Sequence, residues 1–322
     1  MAECLIFKHG VTIGPTGAVR PCCAFNIKPD TENLYWEDDW QTRHEEWSKL
    51  SETQWLDECE ECKVSEQTTG ESLRTQYNKT FKHESGIKHW DLKINNTCNF
   101  ACRMCNQTSS STWANIVRDN NNDWEDYYTH KHDTRWAKDA LNFTELMYDA
   151  GVVKFTGGEP FMIPQVKKII QKLIDEDIAP AVTLELITNG SYDITAWNNL
   201  FKKFKAVTVN VSIEAIGSRY EFIRAGSNWL TTQQNVVKFN KRKPSNTELF
   251  VSILPTVFNA NNIDDVIRWC GLHSIKHSVS TPVINPEFMK PNALEDADLK
   301  KKLIEQSEIL DSIHGTNYKD FI

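Results

Sequence analysis

The sequence predicts an α/β fold: a partial (β/α)6 TIM-like barrel with a small Cys-rich module at its N-terminal side. Two observations predict it. From Trp90 onward, six short runs rich in β-branched and apolar residues alternate with longer amphipathic stretches, the pattern of parallel strands joined by helical crossovers. The nine cysteines are also unevenly placed: five fall in the first 62 residues, three at 98–105, and Cys270 stands alone. The expected division is a Cys-rich module over 1–86, a barrel over 87–290 and a C-terminal helical segment over 291–322.

In chain order, Trp36, Trp40 and Trp47 recur at near-helical spacing among charged residues and predict an amphipathic helix packing its tryptophans. Glu66 to Arg74 reads as the connection to the barrel. The predicted strands are Asp91–Asn95, Val152–Thr156, Val182–Thr188, Ala206–Ile213, Glu248–Pro255 and His277–Val283. Between them lie the helical patterns Pro164–Asp175, Thr195–Phe204, Thr231–Lys241 and Ile263–Leu272. A polar, aromatic segment from Cys105 to Val152, with Asn120, Trp124, Tyr127, Tyr128 and His132, is too long for a simple crossover; it reads equally as a lid or as a surface excursion. Leu294–Ile313 reads as a closing helix. In such barrels ligands collect at the carboxyl ends of the strands, so chemically active residues are expected just after them.

Composition narrows the function. A formal charge of -8 and the lack of a long Lys/Arg run argue against a nucleic-acid groove. No stretch approaches 18 consecutive apolar residues, so no membrane span is expected, and no signal peptide is apparent. A cytoplasmic setting follows, where nine cysteines point to metal or catalytic roles rather than disulfides.

The most informative segment is Cys98-Asn99-Phe100-Ala101-Cys102-Arg103-Met104-Cys105, directly after the first predicted strand. Two further cysteines at fixed offsets from a third arise by chance in under about 1% of cases at this composition. Three thiolates can ligate three irons of a cubane cluster and leave the fourth open to a substrate or cofactor. Zinc is the rival, but it needs a fourth ligand, and no His or Cys follows within the next 20 residues.

This C-x3-C-x2-C run resembles the signature of the radical S-adenosylmethionine (SAM) superfamily. Later segments are similar to the family's motifs in order: Thr156-Gly157-Gly158-Glu159-Pro160, Thr188-Asn189-Gly190, Ser212-Ile213-Glu214, and Arg224 in Tyr220-Glu221-Phe222-Ile223-Arg224. The resemblance, covering roughly 87 to 283, implies a 4Fe–4S cluster on Cys98, Cys102 and Cys105 and SAM bound at its open iron. It implies SAM contacts at Phe100, Met104, Gly157, Gly158, Glu159, Asn189, Ser212, Glu214, Arg224 and Asn259: Glu159 would take the ammonium, Arg224 the carboxylate and Asn259 the adenosine part. Met104 departs from the aromatic residue common before the last cysteine, and Glu214 from a common Asp. The implied chemistry is reductive SAM cleavage to a 5′-deoxyadenosyl radical that abstracts hydrogen from substrate, with an electron donor of flavodoxin or ferredoxin type.

Cys4, followed after twelve residues by Gly17 and after four more by Cys22, together with Cys59-x2-Cys62, resembles the front half of the SPASM or twitch auxiliary-cluster module, here placed before the barrel rather than after it. The resemblance implies a second 4Fe–4S cluster on Cys4, Cys22, Cys59 and Cys62; Cys23 is an alternative to Cys22, and a four-cysteine zinc ribbon an alternative to the cluster. Cys270 reads as a buried helix residue. Auxiliary-cluster members suggest a peptide or protein side chain as substrate, with a small metabolite as the alternative; a zinc-stabilised binding or scaffold protein is the alternative of another class.

Overall fold

The computed structural model describes residues 3–26, 34–36, 38–120, 134–280, 282–283, 287–298, 300–301, 304–305 and 308. Trp124, Tyr127, Tyr128 and His132, and most of the expected closing helix beyond 301, lie outside these residues.

The described strands are β1 (Gly10–Ile13), β2 (Ala18–Arg20), β3 (Leu34–Tyr35), β4 (His89–Leu92), β5 (Ala101–Cys102), β6 (Val152–Phe155), β7 (Thr183–Thr188), β8 (Ala206–Ser212), β9 (Arg224–Ala225), β10 (Thr247–Ile253) and β11 (Lys276–Val279). Nine form one sheet in the order β11-β10-β8-β7-β6-β4-β1-β2-β3, while β5 and β9 pair separately. Every pair from β11 through β4 to β1 is parallel. The fold is therefore α/β, with the six expected strands forming the parallel run of an open barrel sheet.

The helices follow local signals. Pro164–Asp175 begins with proline at its first turn, where the missing N–H costs nothing, and buries Val166, Ile169, Ile170 and Leu173 on one stripe. Ile263–Leu272 runs over the expected residues and buries Cys270. Trp229–Arg242 starts where the Asn228 side chain accepts from the Thr231 N–H at 2.8 Å. The expected helix over 195–204 is instead a 3-10 turn, Ile194–Trp197, followed by a short α-helix, Asn198–Phe201.

The N-terminal residues enter the same sheet, which the sequence reading did not foresee. β1 extends the parallel run beside β4, and β2 and β3 add antiparallel strands at its edge. The tryptophan helix, Trp40–Ser51, is capped by Asp39 and excludes Trp36. Trp36 instead packs its ring against Trp136 and over Gly17, where a Cβ would lie 2.2 Å from the indole. Helices Trp40–Ser51, Glu60–Thr69 and Leu73–Thr80 surround a second small core of Ile6, Phe7, Phe25, Trp47, Leu56 and Phe81 with Cys4.

Side chains alternate along the strands. Leu184 and Leu186 of β7, and Val207, Val209 and Val211 of β8, are fully or almost fully buried in the main core. Their alternates include Glu185, Thr208 and Asn210. A parallel sheet covered on both faces reads as continuous apolar runs. Here the concave face is polar.

Candidate active site

The cysteine loop follows β4 and is held by side chains from the segment after it. Thr112 Oγ1 donates to the Cys98 carbonyl at 2.8 Å, Ser110 Oγ to the Phe100 carbonyl at 2.7 Å, and Trp113 Nε1 to the Cys102 carbonyl at 2.8 Å. The Cys105 N–H donates to the Cys102 carbonyl at 2.8 Å, closing a tight turn. Arg103, 1% exposed, donates from Nε to the Phe222 carbonyl and lies over the Phe222 ring.

The three thiols share one electrostatic site. Burial raises each of them, Cys105 to about 11, and each of Cys102 and Cys105 is raised further by neighbouring cysteines of the set, while the Arg224 guanidinium acts in the opposite sense on all three. Among the described residues, no three His, Cys, Asp or Glu side chains gather as around a single metal ion. A cubane spreads its thiolates over separate irons, and three soft thiol donors on one loop suit it. A cationic group would offset the burial that otherwise keeps these thiols protonated.

Arg224 is delivered by β9, which pairs antiparallel with β5 so that Arg224 stands opposite Cys102. Nη1 donates to the Cys102 Sγ at 3.6 Å, while Nε and Nη2 are gripped by the Glu214 carboxylate at 2.6 and 2.7 Å. Glu214, expected from the sequence among the SAM contacts, is the partner that fixes Arg224. A bidentate pair of this kind sets the plane of the guanidinium.

The Gly157-Gly158-Glu159 turn follows β6. Gly158 has φ +59°, and a Cβ there would meet the Thr97 carbonyl at 2.5 Å, so the close approach to the cysteine loop requires glycine. Glu159 is fully buried and accepts from Thr188 Oγ1 at 2.7 Å, the Asn189 N–H at 2.7 Å and the Phe161 N–H at 3.2 Å. Burial pushes its carboxyl up to about 7 against those donors. Asn189 in turn points its Nδ2 to the Asn99 Oδ1 at 2.9 Å and to the Cys98 Sγ at 3.9 Å.

Ser212 closes β8, half-buried, and its hydroxyl has no partner among the described residues. Met104 packs on the main core and Phe100 is buried within the loop. Asn259 departs from expectation: it is fully buried, its Nδ2 donates to the Glu214 and Leu254 carbonyls, and its Oδ1 accepts from the Thr256 N–H and hydroxyl. With both hydrogens and both lone pairs used, its amide ties the segment after β10 to Glu214. The sequence reading missed Arg103, Thr112 and Trp113. Their proximity to the cysteine loop, in a segment of mixed Ser and Thr, was the available signal.

The second cysteine group is brought together as well. Cys4, Cys22, Cys59 and Cys62 line one cavity of about 20 Å³. Burial pushes Cys4 and Cys59 up to about 12, and Cys4, Cys59 and Cys62 all act on Cys22. The Ser72 hydroxyl and Arg74 N–H act on Cys62, and Arg74 is itself held by Glu66. Cys23 does not line the cavity; it lies near Lys93, Lys154 and Tyr77.

The Radical SAM superfamily model matches residues 92–271, more than half of the chain. The chain belongs to the radical SAM superfamily, whose chemistry implies a 4Fe–4S cluster and SAM. No curated protein matches it. Among solved structures it is similar to anSMEcpe with bound AdoMet and Cp18Cys peptide, at 14% identity and TM-score 0.37 over 59% of this chain and 49% of that one. It is similar to Streptococcus suis SuiB bound to S-adenosylmethionine, at 15% identity and TM-score 0.45 over 82% and 57%. The same protein bound to precursor peptide SuiA gives 15% identity and TM-score 0.46 over 72% and 49%. This chain spans about half the length of those proteins. No helix among the described residues is long and apolar enough to cross a membrane.

Proposed function

We propose that this chain cleaves SAM reductively at a 4Fe–4S cluster on Cys98, Cys102 and Cys105 and uses the product radical to oxidise or crosslink a peptide or protein side chain. The observation that carries the reading is convergence: Arg224 on Cys102, Asn189 on Cys98, and the glycine turn against the Asn96–Thr97 backbone just before Cys98. A cluster held by Cys98, Cys102 and Cys105 would supply the one-electron reduction that cleaves the SAM sulfonium and starts hydrogen abstraction.

The protein's own groups bind and orient. Gly157 and Gly158 let the backbone approach the SAM amine, whose positive charge would favour the ionised form of the buried Glu159 carboxyl behind the turn. Arg224, aligned by Glu214, faces the SAM carboxylate, with the Ser212 hydroxyl beside it. Phe100 and Met104 border the adenosine side and exclude water. We assign Cys4, Cys22, Cys59 and Cys62 to a second 4Fe–4S cluster, carried by residues 1–86, whose strands extend the sheet of the barrel of 87–290, and which would exchange an electron with the substrate radical. A flavodoxin- or ferredoxin-type protein would supply electrons, and all nine cysteines being free fits a cytoplasmic setting. The peptide assignment rests on the likeness of the second cysteine group to auxiliary-cluster modules.

Anaerobic reconstitution tests the reading. With dithionite and SAM, the protein is expected to form 5′-deoxyadenosine, and a mixed peptide pool to raise that rate and show hydrogen loss by mass spectrometry. A colourless zinc protein forming none would overturn it. Turnover with small metabolites and none with peptides would move the substrate to the other class.

A further inference from the structure

The concave face of the sheet carries a charged row that the cysteine groups do not use. Register places Arg20 opposite Thr12, Thr12 beside Asp91, Asp91 beside Lys154, and Lys154 beside Glu185. Paired positions share a face of the sheet. Their alternates Val11, Val19, Trp90, Leu92, Val153, Phe155 and Leu184 are buried on the opposite face, so the charges line the concave side. Lys93, two residues beyond Asp91, shares that side, since its neighbours Leu92 and Ile94 are fully buried in the apolar core.

Part of the row is satisfied internally. Lys154 Nζ stands 3.2 Å from Asp91 Oδ2, and Thr156 Oγ1 donates to Asp91 Oδ1 at 3.0 Å. Two cations are left over. The Lys93 ammonium makes no ion pair or hydrogen bond among the described residues, and its stem crosses Gly157, where a Cβ would lie 2.9 Å away. Arg20 reaches the Phe25 carbonyl at 3.4 Å through Nη1, and its buried Nε has no partner among the described residues. Between Arg20 and Asp91 the Thr12 hydroxyl, 1% exposed, is also unpartnered. Gly14 leaves open the next position up β1, with only the Arg20 Nη2 at 3.9 Å and the Ala18 carbonyl at 3.5 Å from where a Cβ would be.

Three cations thus stand against Asp91 and Glu185, and burial drives Glu185 toward its neutral form. Burial, and then the Arg20 guanidinium, disfavour the charge on Lys93. An anion brought to this place relieves both costs at once.

We propose that Lys93 and Arg20 form an anion subsite on the concave face that takes a carboxylate of the substrate and holds it beside the glycine turn of the cofactor site. The assignment rests on the reading above that the substrate is a peptide or protein side chain. The carboxylate of SAM is the rival source.

The test uses the full chain, reconstituted and saturated with SAM, with glutarate as the probe and glutaramide and matched chloride as controls. Glutarate is expected to raise the melting temperature where glutaramide and chloride do not. Lys93→Met is expected to weaken the apparent glutarate affinity by at least about tenfold, and Lys93→Arg to restore most of it, as loss and return of a charge-assisted hydrogen bond require. If Lys93→Met does not fold, Arg20→Gln reports on the same subsite with the same expected direction. A glutarate shift that appears only without SAM assigns the subsite to the cofactor and overturns the proposal, as does a shift that both variants keep or no shift in the parent. Glutarate binding through Lys93 in a protein that modifies no peptide would refute the peptide reading alone. Peptide turnover without a Lys93-dependent shift would refute the subsite alone.

Discussion

The two cysteine groups are built in opposite ways. Cys98, Cys102 and Cys105 lie within eight residues on one loop, closed by its own turn and tied down by Ser110, Thr112 and Trp113 just downstream. Cys4, Cys22 and the Cys59–Cys62 pair come from three separate places spread over 59 residues and meet where Phe7, Phe25, Trp47 and Leu56 pack around them. The first group is a local device that depends on sequence spacing. The second is a tertiary one that depends on a small apolar core. The difference predicts which perturbations reach which site.

The largest effect is expected at the loop. Cys102→Ala removes the central thiol and should abolish 5′-deoxyadenosine formation under dithionite while leaving the second site its iron, so that iron content falls from about eight to about four per chain. Cys59→Ala should do the converse: iron again falls by about half, SAM cleavage continues, and peptide product is lost. If both variants lose both clusters, the two sites are not independent and the comparison fails. Glu214→Gln keeps the shape of its partner but removes the charge that aligns Arg224. Deoxyadenosine formation should drop about 10–100-fold with near-normal iron, the usual cost of losing a group that orients a metal-site residue.

The smallest effect is on stability and concerns the second group. His44 is 2% exposed between Trp40 and Trp47, and neither ring nitrogen has a hydrogen-bond partner among the described residues. Burial lowers its pKa from 6.5 to about 4, and burial likewise lowers His89 to about 4. Both folded-state values lie below the unfolded one. Between about pH 6.5 and about pH 4 the unfolded chain therefore binds more protons, and stability is full above that window and falls as pH drops through it. Each histidine contributes a slope of up to about 1.4 kcal/mol per pH unit. Urea titrations across this range should show His44→Phe flattening the acid loss by roughly one proton's worth; an unchanged slope would place the acid sensitivity elsewhere.

The same contrast explains what could be read in advance. The six barrel strands were legible because they are short runs, most of them rich in β-branched or apolar residues and separated by helical periodicity, and their ends shifted by only a few residues. The cysteine loop was legible because its meaning lies in local spacing. The N-terminal strands were not legible: β1, β2 and β3 have four, three and two residues, too short for a period of two to register, and they exist because the edge of β4 accepts them. Glu214 was found but not its purpose, since its partner lies ten residues on and is brought back by the β5–β9 pairing. The bracing of Asn259 was not legible, because sequence places it after a strand without revealing the four hydrogen bonds its amide makes to Thr256, Glu214 and Leu254.

The most direct test of the central claim is electron paramagnetic resonance of the reconstituted, dithionite-reduced Cys59→Ala protein, recorded before and after addition of SAM. An open iron on the Cys98–Cys102–Cys105 loop requires a 4Fe–4S signal whose g-values move when SAM binds. A signal that SAM leaves untouched, or none in a protein that carries zinc, would contradict it.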